Sequence, residues 1–404
     1  MLTRWKCLAL VVFLLPSMAD PAIGQEKIFP VEVRGKLAGP ERHNVIVLSS
    51  SPSGDPGLEK ALRQHTVPAF EGGLEQARLP LIGGYAVRTQ AKGLLALAQS
   101  ASVVALWVVP EPIFDDSVRI IKAIDSAIRK VPDPGPINIS LGPPPAMLPL
   151  PYREREPISL AFQKAARAGQ LVVMSAGNAG PKDDTLNPWC LSPTVVCVGA
   201  ATEDGSKLWE RSSRGRPGDP VYRPSIVAPG VDVITTHPPE IPKTREMLAA
   251  EKRVDFDKRV PPDKRDRYTV VSGSSFAAGH VSGAAAQVFF YLGNVRDELL
   301  ARGEREPKIA VTYAQAPLRT RDAQVRTRRL IGEVKDSGSY FVVTYPARPD
   351  PLVVKQILLD SALPMANYRE HEVGSGFVHQ EIIKQAFGEY GLPKPKILPI
   401  KAVE

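Results

Sequence analysis

The 404-residue chain reads as an α/β protein built on a parallel sheet, preceded by a small α+β unit. Three observations carry that reading. From residue 113 onward, short β-branched runs alternate with stretches of helical spacing, the pattern of parallel strands joined by crossover helices. Before that, strand-like and helix-like stretches alternate within a compact block of their own. Proline supplies 40 of the 404 residues, roughly twice its average usage, which favours many loops over a helical bundle.

The first 24 residues read as an export signal. Arg4 and Lys6 form a positive head, Cys7 to Leu15 is an apolar run too short to span a bilayer, and Ser17-Met18-Ala19 and Ala22-Ile23-Gly24 both offer small residues for cleavage. The expected location is therefore secreted or periplasmic, with no membrane span after signal removal. Residues 25–43 are a polar leader. Strands are expected over Asn44–Ser49, Leu79–Thr89 and Val103–Val109, and helices over Gly57–Phe70 and Gly93–Ala98. These make residues 25–112 one α+β domain.

In the second domain, residues 113–390, apolar positions 120, 121, 124, 127 and 128 predict a helix over Asp116–Arg129. Pro136–Leu141 is a strand ending at Gly142, followed by Pro143, Pro144 and Pro145. Ile158–Ala168 is a helix stopped by Gly169, and Gln170–Met174 a buried strand. Val195–Ala200 and Ser225–Thr235 supply further strands, and Ser275–Leu292 a small-residue helix expected to stop at Gly293. Two charged insertions interrupt the core, at about 240–267 (a surface excursion) and 302–335. Residues 391–404 are a tail.

The 51 basic and 43 acidic residues give a formal charge of +8, but they intermingle, and aromatics are 6% of the chain. That is a poor match to a nucleic-acid stacking platform, so no nucleic-acid partner is expected. Arg319, Arg321, Arg326, Arg328 and Arg329 form the best candidate for an anionic partner, with a solvated insertion as the plainer reading. After signal removal only Cys190 and Cys197 remain. In an exported chain they suggest one disulfide, with two buried free thiols as the alternative. No histidine or cysteine cluster has metal-site spacing, so no metal or cofactor is expected, with calcium left open.

The most informative run is Ser272-Gly273-Ser274-Ser275-Phe276-Ala277-Ala278-Gly279-His280-Val281-Ser282-Gly283. A serine opening a small-residue helix sits where backbone N–H groups favour negative charge. The run resembles the nucleophile motif of the subtilisin-like serine peptidases (subtilases), Gly-Thr-Ser-x-Ala-x-Pro-His-Val-x-Gly. Ile137–Gly142 is similar to that family's cleft strand, and Val172–Asn178 to the strand carrying its oxyanion asparagine. Ser213-Arg214-Gly215 with Val227–Val231 is similar to the stretch before the nucleophile, and Val354–Ala362 with Gly374–Val378 to the closing segment.

The resemblance implies a subtilisin-like sandwich and serine endopeptidase activity, with Ser275 as nucleophile and Asn178 as oxyanion donor. Such a donor is worth about 3–4 kcal/mol, as measured in a subtilisin. Ser140, Leu141 and Gly142 would contact substrate backbone. The block around Gly83–Val87 and Val103–Pro110 is similar to the family's inhibitory propeptide (inhibitor I9).

Two departures stand against activity. In that family an Asp-Ser/Thr-Gly motif and a His-Gly-Thr-His motif precede the cleft strand; neither stands before Asn138 here, and only 25 positions separate Ile113 from Asn138, so the sandwich is expected to be truncated at its N-terminal part. Asp125, within Ile124-Asp125-Ser126-Ala127-Ile128, sits at helical spacing and reads as a surface residue. Among the six histidines, His280 lies about 140° around an ideal helix from Ser275. His43, His65, His237, His371 and His379 have no motif support.

The expectation is an exported pseudopeptidase that holds a peptide or protein ligand in the former substrate cleft, with its propeptide-like domain retained. Two rival readings are an active serine endopeptidase with an unconventional base and an anion-binding surface protein. Truncation would also leave the Asn138 strand at a sheet edge, with the N-terminal unit as its expected cover.

Overall fold

A computed structural model describes residues 42–50, 56–68, 77–100, 102–109, 111–143, 157–219, 223–313, 334–336 and 341–378. The export signal, the leader up to residue 41, Pro144 and Pro145, the arginines at 319–329, His379 and the C-terminal tail lie outside the described residues.

The first unit contains β1 (His43–Ser49), α1 (Pro56–His65), β2 (Thr66–Pro68), β3 (Arg78–Leu79), β4 (Gly84–Thr89), α2 (Ala91–Gln99) and β5 (Val103–Val108). Its strands form an antiparallel sheet of order β2-β4-β1-β5, with β3 also paired to β4. Side chains alternate across it with period two. Val45, Val47, Tyr85 and Val87 pack on Leu58, Leu62, Leu94 and Leu97 of the two helices.

Two expected elements are cut short here. The first helix ends at His65, because Thr66 and Val67 are β-branched and Pro68 pushes the residue before it into extended backbone. The strand expected over Leu79–Thr89 is broken by a 3₁₀ turn at Pro80–Ile82, which ends on Gly83 at φ 67°.

The second unit runs through α3 (Glu111–Lys130), β6 (Gly135–Ile139), α4 (Pro157–Arg167), β7 (Gln170–Ser175), β8 (Val196–Ala201), β9 (Ile226–Pro229) and β10 (Val233–Thr236). It continues with α5 (Arg245–Arg253), α6 (Phe256–Arg259), β11 (Tyr268–Val271), α7 (Ser274–Ala301), β12 (Lys308–Tyr313), β13 (Val334–Asp336), β14 (Phe341–Pro346), α8 (Pro351–Asp360) and α9 (Glu370–Val373). The central sheet, β6-β7-β8-β9, is parallel throughout. Both its faces are covered, as parallel sheets require. On one side Leu171, Val173, Val198 and Ile226 pack on Ala277, Val281, Ala284 and Val288 of α7. On the other, Val172, Met174 and Cys197 pack on α3 and α4.

That second layer continues into the first unit. Ile46, Leu48, Leu79, Ala86 and Ala105 share one apolar cluster with Phe114, Val118, Ile121 and Phe162. The boundary expected after residue 112 thus falls in the first turn of α3, a helix that belongs to both cores. The first unit does not cover the sheet edge, as the sequence had suggested. Its apolar face needs an apolar partner and finds one on α3 and α4, while among the described residues β6 pairs only with β7, and Asn138 is exposed.

Two further corrections and one refinement follow. The helix expected to stop at Gly293 continues to Ala301. A mid-helix glycine costs only about 1 kcal/mol against alanine, and Leu292 and Val295 are buried on either side of it. Gly303, at φ 91°, follows its end. The strand expected over Ser225–Thr235 splits into β9 and β10 around Gly230, whose Cβ position lies 2.8 Å from the Gly273 carbonyl. The excursion at 240–267 is a folded insertion between the antiparallel strands β10 and β11. Ala250, Phe256, Val260 and Val270 form its own small core, and Lys243 bonds Glu251 at 2.7 Å.

Candidate active site

Parallel strands deliver their carboxyl ends to one side of the sheet, where ligand crevices form. Here β6 ends at Ser140-Leu141-Gly142 and β7 at Ala176-Gly177-Asn178, and α7 begins beside them with Ser274 and Ser275. All five residues singled out from the sequence, Ser140, Leu141, Gly142, Asn178 and Ser275, line one cavity of about 320 Å³. Ser175, Thr185, Asn187, Ser213 and Ser274 complete its polar lining, and among the described residues none that lines it is charged.

The geometry turns on Ser274, which is fully buried. Its N–H and hydroxyl both donate to Asn178 Oδ1, at 3.0 and 2.8 Å, and its hydroxyl accepts from the Gly177 N–H at 3.1 Å. Two donors on Oδ1 fix the Asn178 amide, so its Nδ2 is the end left to donate. Gly177 adopts φ 107°, and a Cβ there would stand 2.7 Å from Ser213 Oγ. A side chain is therefore excluded at that bend.

Ser275 is the second residue of α7, half-buried, at the positive end of a 28-residue helix. Its hydroxyl donates to the Ser140 carbonyl at 3.4 Å, and the Ser140 hydroxyl donates to the Ser275 carbonyl at 3.0 Å. Asn138 Nδ2 donates to Ser140 Oγ at 3.0 Å. Ser275 is thus tied to the end of β6.

Asn187 was not singled out from the sequence. Its Nδ2 donates to the carbonyls of Leu141 and Ser175, at 3.2 and 3.0 Å, joining the exits of β6 and β7. Its Oδ1 accepts from the Trp189 N–H at 3.1 Å. An asparagine before Pro188 signals a turn start, but nothing local says what its amide will reach. Gly142 lies directly on this side chain.

No described histidine lines the cavity. His43 lies on β1 and His65 ends α1. His237 Nε2 meets the Ile241 carbonyl at 2.7 Å, His280 Nδ1 meets the Phe276 carbonyl at 3.1 Å, and His371 Nε2 meets Asp183 Oδ1 at 3.1 Å. Asp125 is ion-paired with Arg129 along α3 and does not line the cavity.

The wall at Thr185 is braced from outside. Asp184 pairs with Arg216 at 3.0 Å, Arg214 with Glu372 at 2.7 Å, and the Thr185 N–H donates to the Arg214 carbonyl. Cys190 and Cys197 form a disulfide with their Cα atoms 5.2 Å apart. The loop it closes is held by Lys355 Nζ, which donates to the carbonyls of Pro193 and Val195 at 2.7 Å each. Burial, with a smaller push from Arg223, holds the Lys355 ammonium well below the ordinary lysine range, at about 8. Among the described residues no group of three or more His, Cys, Asp or Glu side chains is placed to hold a metal ion, and no helix is long and apolar enough to cross a membrane.

The family model described as the subtilase family (Peptidase_S8) matches residues 83–300. Serine protease AprX of Bacillus subtilis (strain 168) is 29% identical over 143 residues, which cover 34% of this chain and 30% of AprX. Subtilisin DY of Bacillus licheniformis is 27% identical over 208 residues, 51% of this chain and 60% of that protein. Each match thus spans less than two thirds of the relative's own length. Among solved structures, the prenylagaramide maturation protease PagA aligns over 67% of each chain at 20% identity, with a TM-score of 0.40. Sphericase aligns over 43% of this chain and 48% of its own at 27% identity, with a TM-score of 0.30.

Proposed function

The chain belongs to the subtilase family, and from that premise we propose that it is a pseudopeptidase. In this reading it is an exported protein that keeps Ser275 and Asn178 as relics of the family's chemistry. Its former substrate cleft holds a peptide or protein segment without cutting it.

The observation that carries this reading is the company Ser275 keeps. Its hydroxyl donates to a backbone carbonyl, and no imidazole or carboxylate among the described residues lines its cavity. A serine hydroxyl becomes a nucleophile only when a base takes its proton and a carboxylate orients that base. Loss of the histidine alone costs a subtilisin about 10⁶-fold in kcat. The shared apolar cluster of the first sheet with α3 and α4 supports a retained N-terminal unit, since separating them would expose Phe114, Ile121 and Phe162.

A fluorophosphonate probe on the exported protein tests the proposal. The expected result is no labelling, with a single species starting near Gln25 whose mass is unchanged by Ser275→Ala. Ser275-dependent labelling would overturn it. So would a second species, lacking the propeptide-like domain, that disappears in Ser275→Ala.

A further inference from the structure

A second cavity, of about 630 Å³, opens between β10, the inserted helix α6, the turn after β8 and the flank of α7 that carries His280. That volume is in the range of small-molecule sites. Val231, Val233 and Ile234 are each half-buried and form an apolar wall with Phe377 and Val378.

Its polar groups differ in how far they are committed. Asp232 accepts from Arg253 at 3.0 and 2.6 Å and from the Ser272 hydroxyl at 3.2 Å, so both its oxygens are in use. His280 Nδ1 faces the Phe276 carbonyl, so that nitrogen carries the hydrogen. Glu203 and Arg259 are held loosely. Their Oε2 and Nη2 stand 3.9 Å apart, beyond hydrogen-bond length, with 82% and 51% of their side chains exposed. Such a pair has little attraction of its own. It sets one anion and one cation side by side at the mouth of an apolar pocket.

A ligand carrying an ammonium, a carboxylate and an aliphatic side chain complements all three features. We infer that this cavity binds a small apolar zwitterion, an amino acid or dipeptide with branched aliphatic side chains. Its ammonium meets Glu203, its carboxylate meets Arg259, and its side chains lie against Val231, Ile234 and Phe377. The inference does not depend on the state of Ser275, and a positive fluorophosphonate result would leave it standing.

Calorimetric titration of the full exported chain with leucyl-leucine tests it, alongside the N-acetylated and C-amidated forms. The free dipeptide is expected to bind, and each capped form to bind about tenfold more weakly or worse, since each loses one charge-assisted contact. Arg259→Gln should weaken the free dipeptide by a similar factor and leave the amide unaffected; Glu203→Gln should do so and leave the acetylated form unaffected. Both side chains are exposed, so denaturant midpoints should match the parent and exclude misfolding. Equal binding of capped and free forms, or no binding at millimolar concentration, would overturn the inference. Loss of binding in Ser275→Ala with full binding in Arg259→Gln would place the ligand in the serine cavity instead, and would overturn it equally.

Discussion

Removing the hydroxyl of Ser274 should unsettle this protein more than removing that of Ser275. Ser274 is fully buried, and its hydroxyl makes two bonds, donating to Asn178 Oδ1 at 2.8 Å and accepting from the Gly177 N–H at 3.1 Å. Ser274→Ala deletes both and leaves that N–H without its partner. At about 1 kcal/mol for each bond, the expected loss is about 2 kcal/mol. That is about a 30-fold change in the folding constant and, with the large m-value expected of a chain this size, a shift of about 0.5 M in a urea midpoint. Ser275 is half-buried, and its single hydroxyl bond is long, at 3.4 Å. Ser275→Ala should therefore stay within about 0.5 kcal/mol. Urea unfolding of the two variants and the parent, followed by fluorescence and with m-values compared, decides the matter. A Ser274→Ala midpoint equal to the parent's, or an equal loss in Ser275→Ala, would refute the argument that Ser274 organises the site.

Other outcomes follow from the same contacts. Gly142→Ala sets a Cβ 2.2 Å from Asn187 Nδ2, and Asn187 is pinned by its own hydrogen bonds. It should cost about 1–3 kcal/mol in a denaturant series, while Gly135→Ala, with nothing within 4 Å, should cost less than about 0.5 kcal/mol. Replacing both Cys190 and Cys197 by alanine opens a loop of seven residues' separation, and in the chain-entropy account should lower stability by about 2–3 kcal/mol. Lys355 titrates at about 8 when folded, against 10.5 when free. Between those values the unfolded chain holds more protons, so stability should rise as pH climbs from about 8 to the ordinary lysine range, by up to about 3 kcal/mol. Thermal melts across that window should show the slope, and Lys355→Met should flatten it.

Much of the frame was legible in the residues. Asn44–Ser49, Val103–Val109 and Gln170–Met174 are short apolar β-branched runs between turn formers, and each is a strand within a residue or two. The crossover helix at Pro157–Arg167 ends before Gly169, which takes the left-handed φ of 88° that a helix stop of this kind needs. Errors came where a local signal met a packing demand. Gly293 alone reads as a stop, yet the sheet and α8 bury Leu292 and Val295 and carry the helix past it. Residues 240–267 read as a surface excursion, and most of them are exposed; what their dense charges concealed is the small core that Ala250, Phe256 and Val260 form with Val270.

The sequence by itself determined the family and the order of the strands along the chain. These are properties of residue type and spacing, and they survive without coordinates. Only the tertiary structure decided which groups meet. Ser274 and Asn178 are 96 residues apart, Asn187 and Leu141 are 46 apart, and their bonds exist because parallel strands bring separate chain segments to one edge. The same holds for the N-terminal sheet, which lies on α3 and α4 and does not pair with β6 among the described residues. Apolar faces are satisfied by whatever apolar surface the fold presents, and a linear pattern shows that a face exists without showing what it covers.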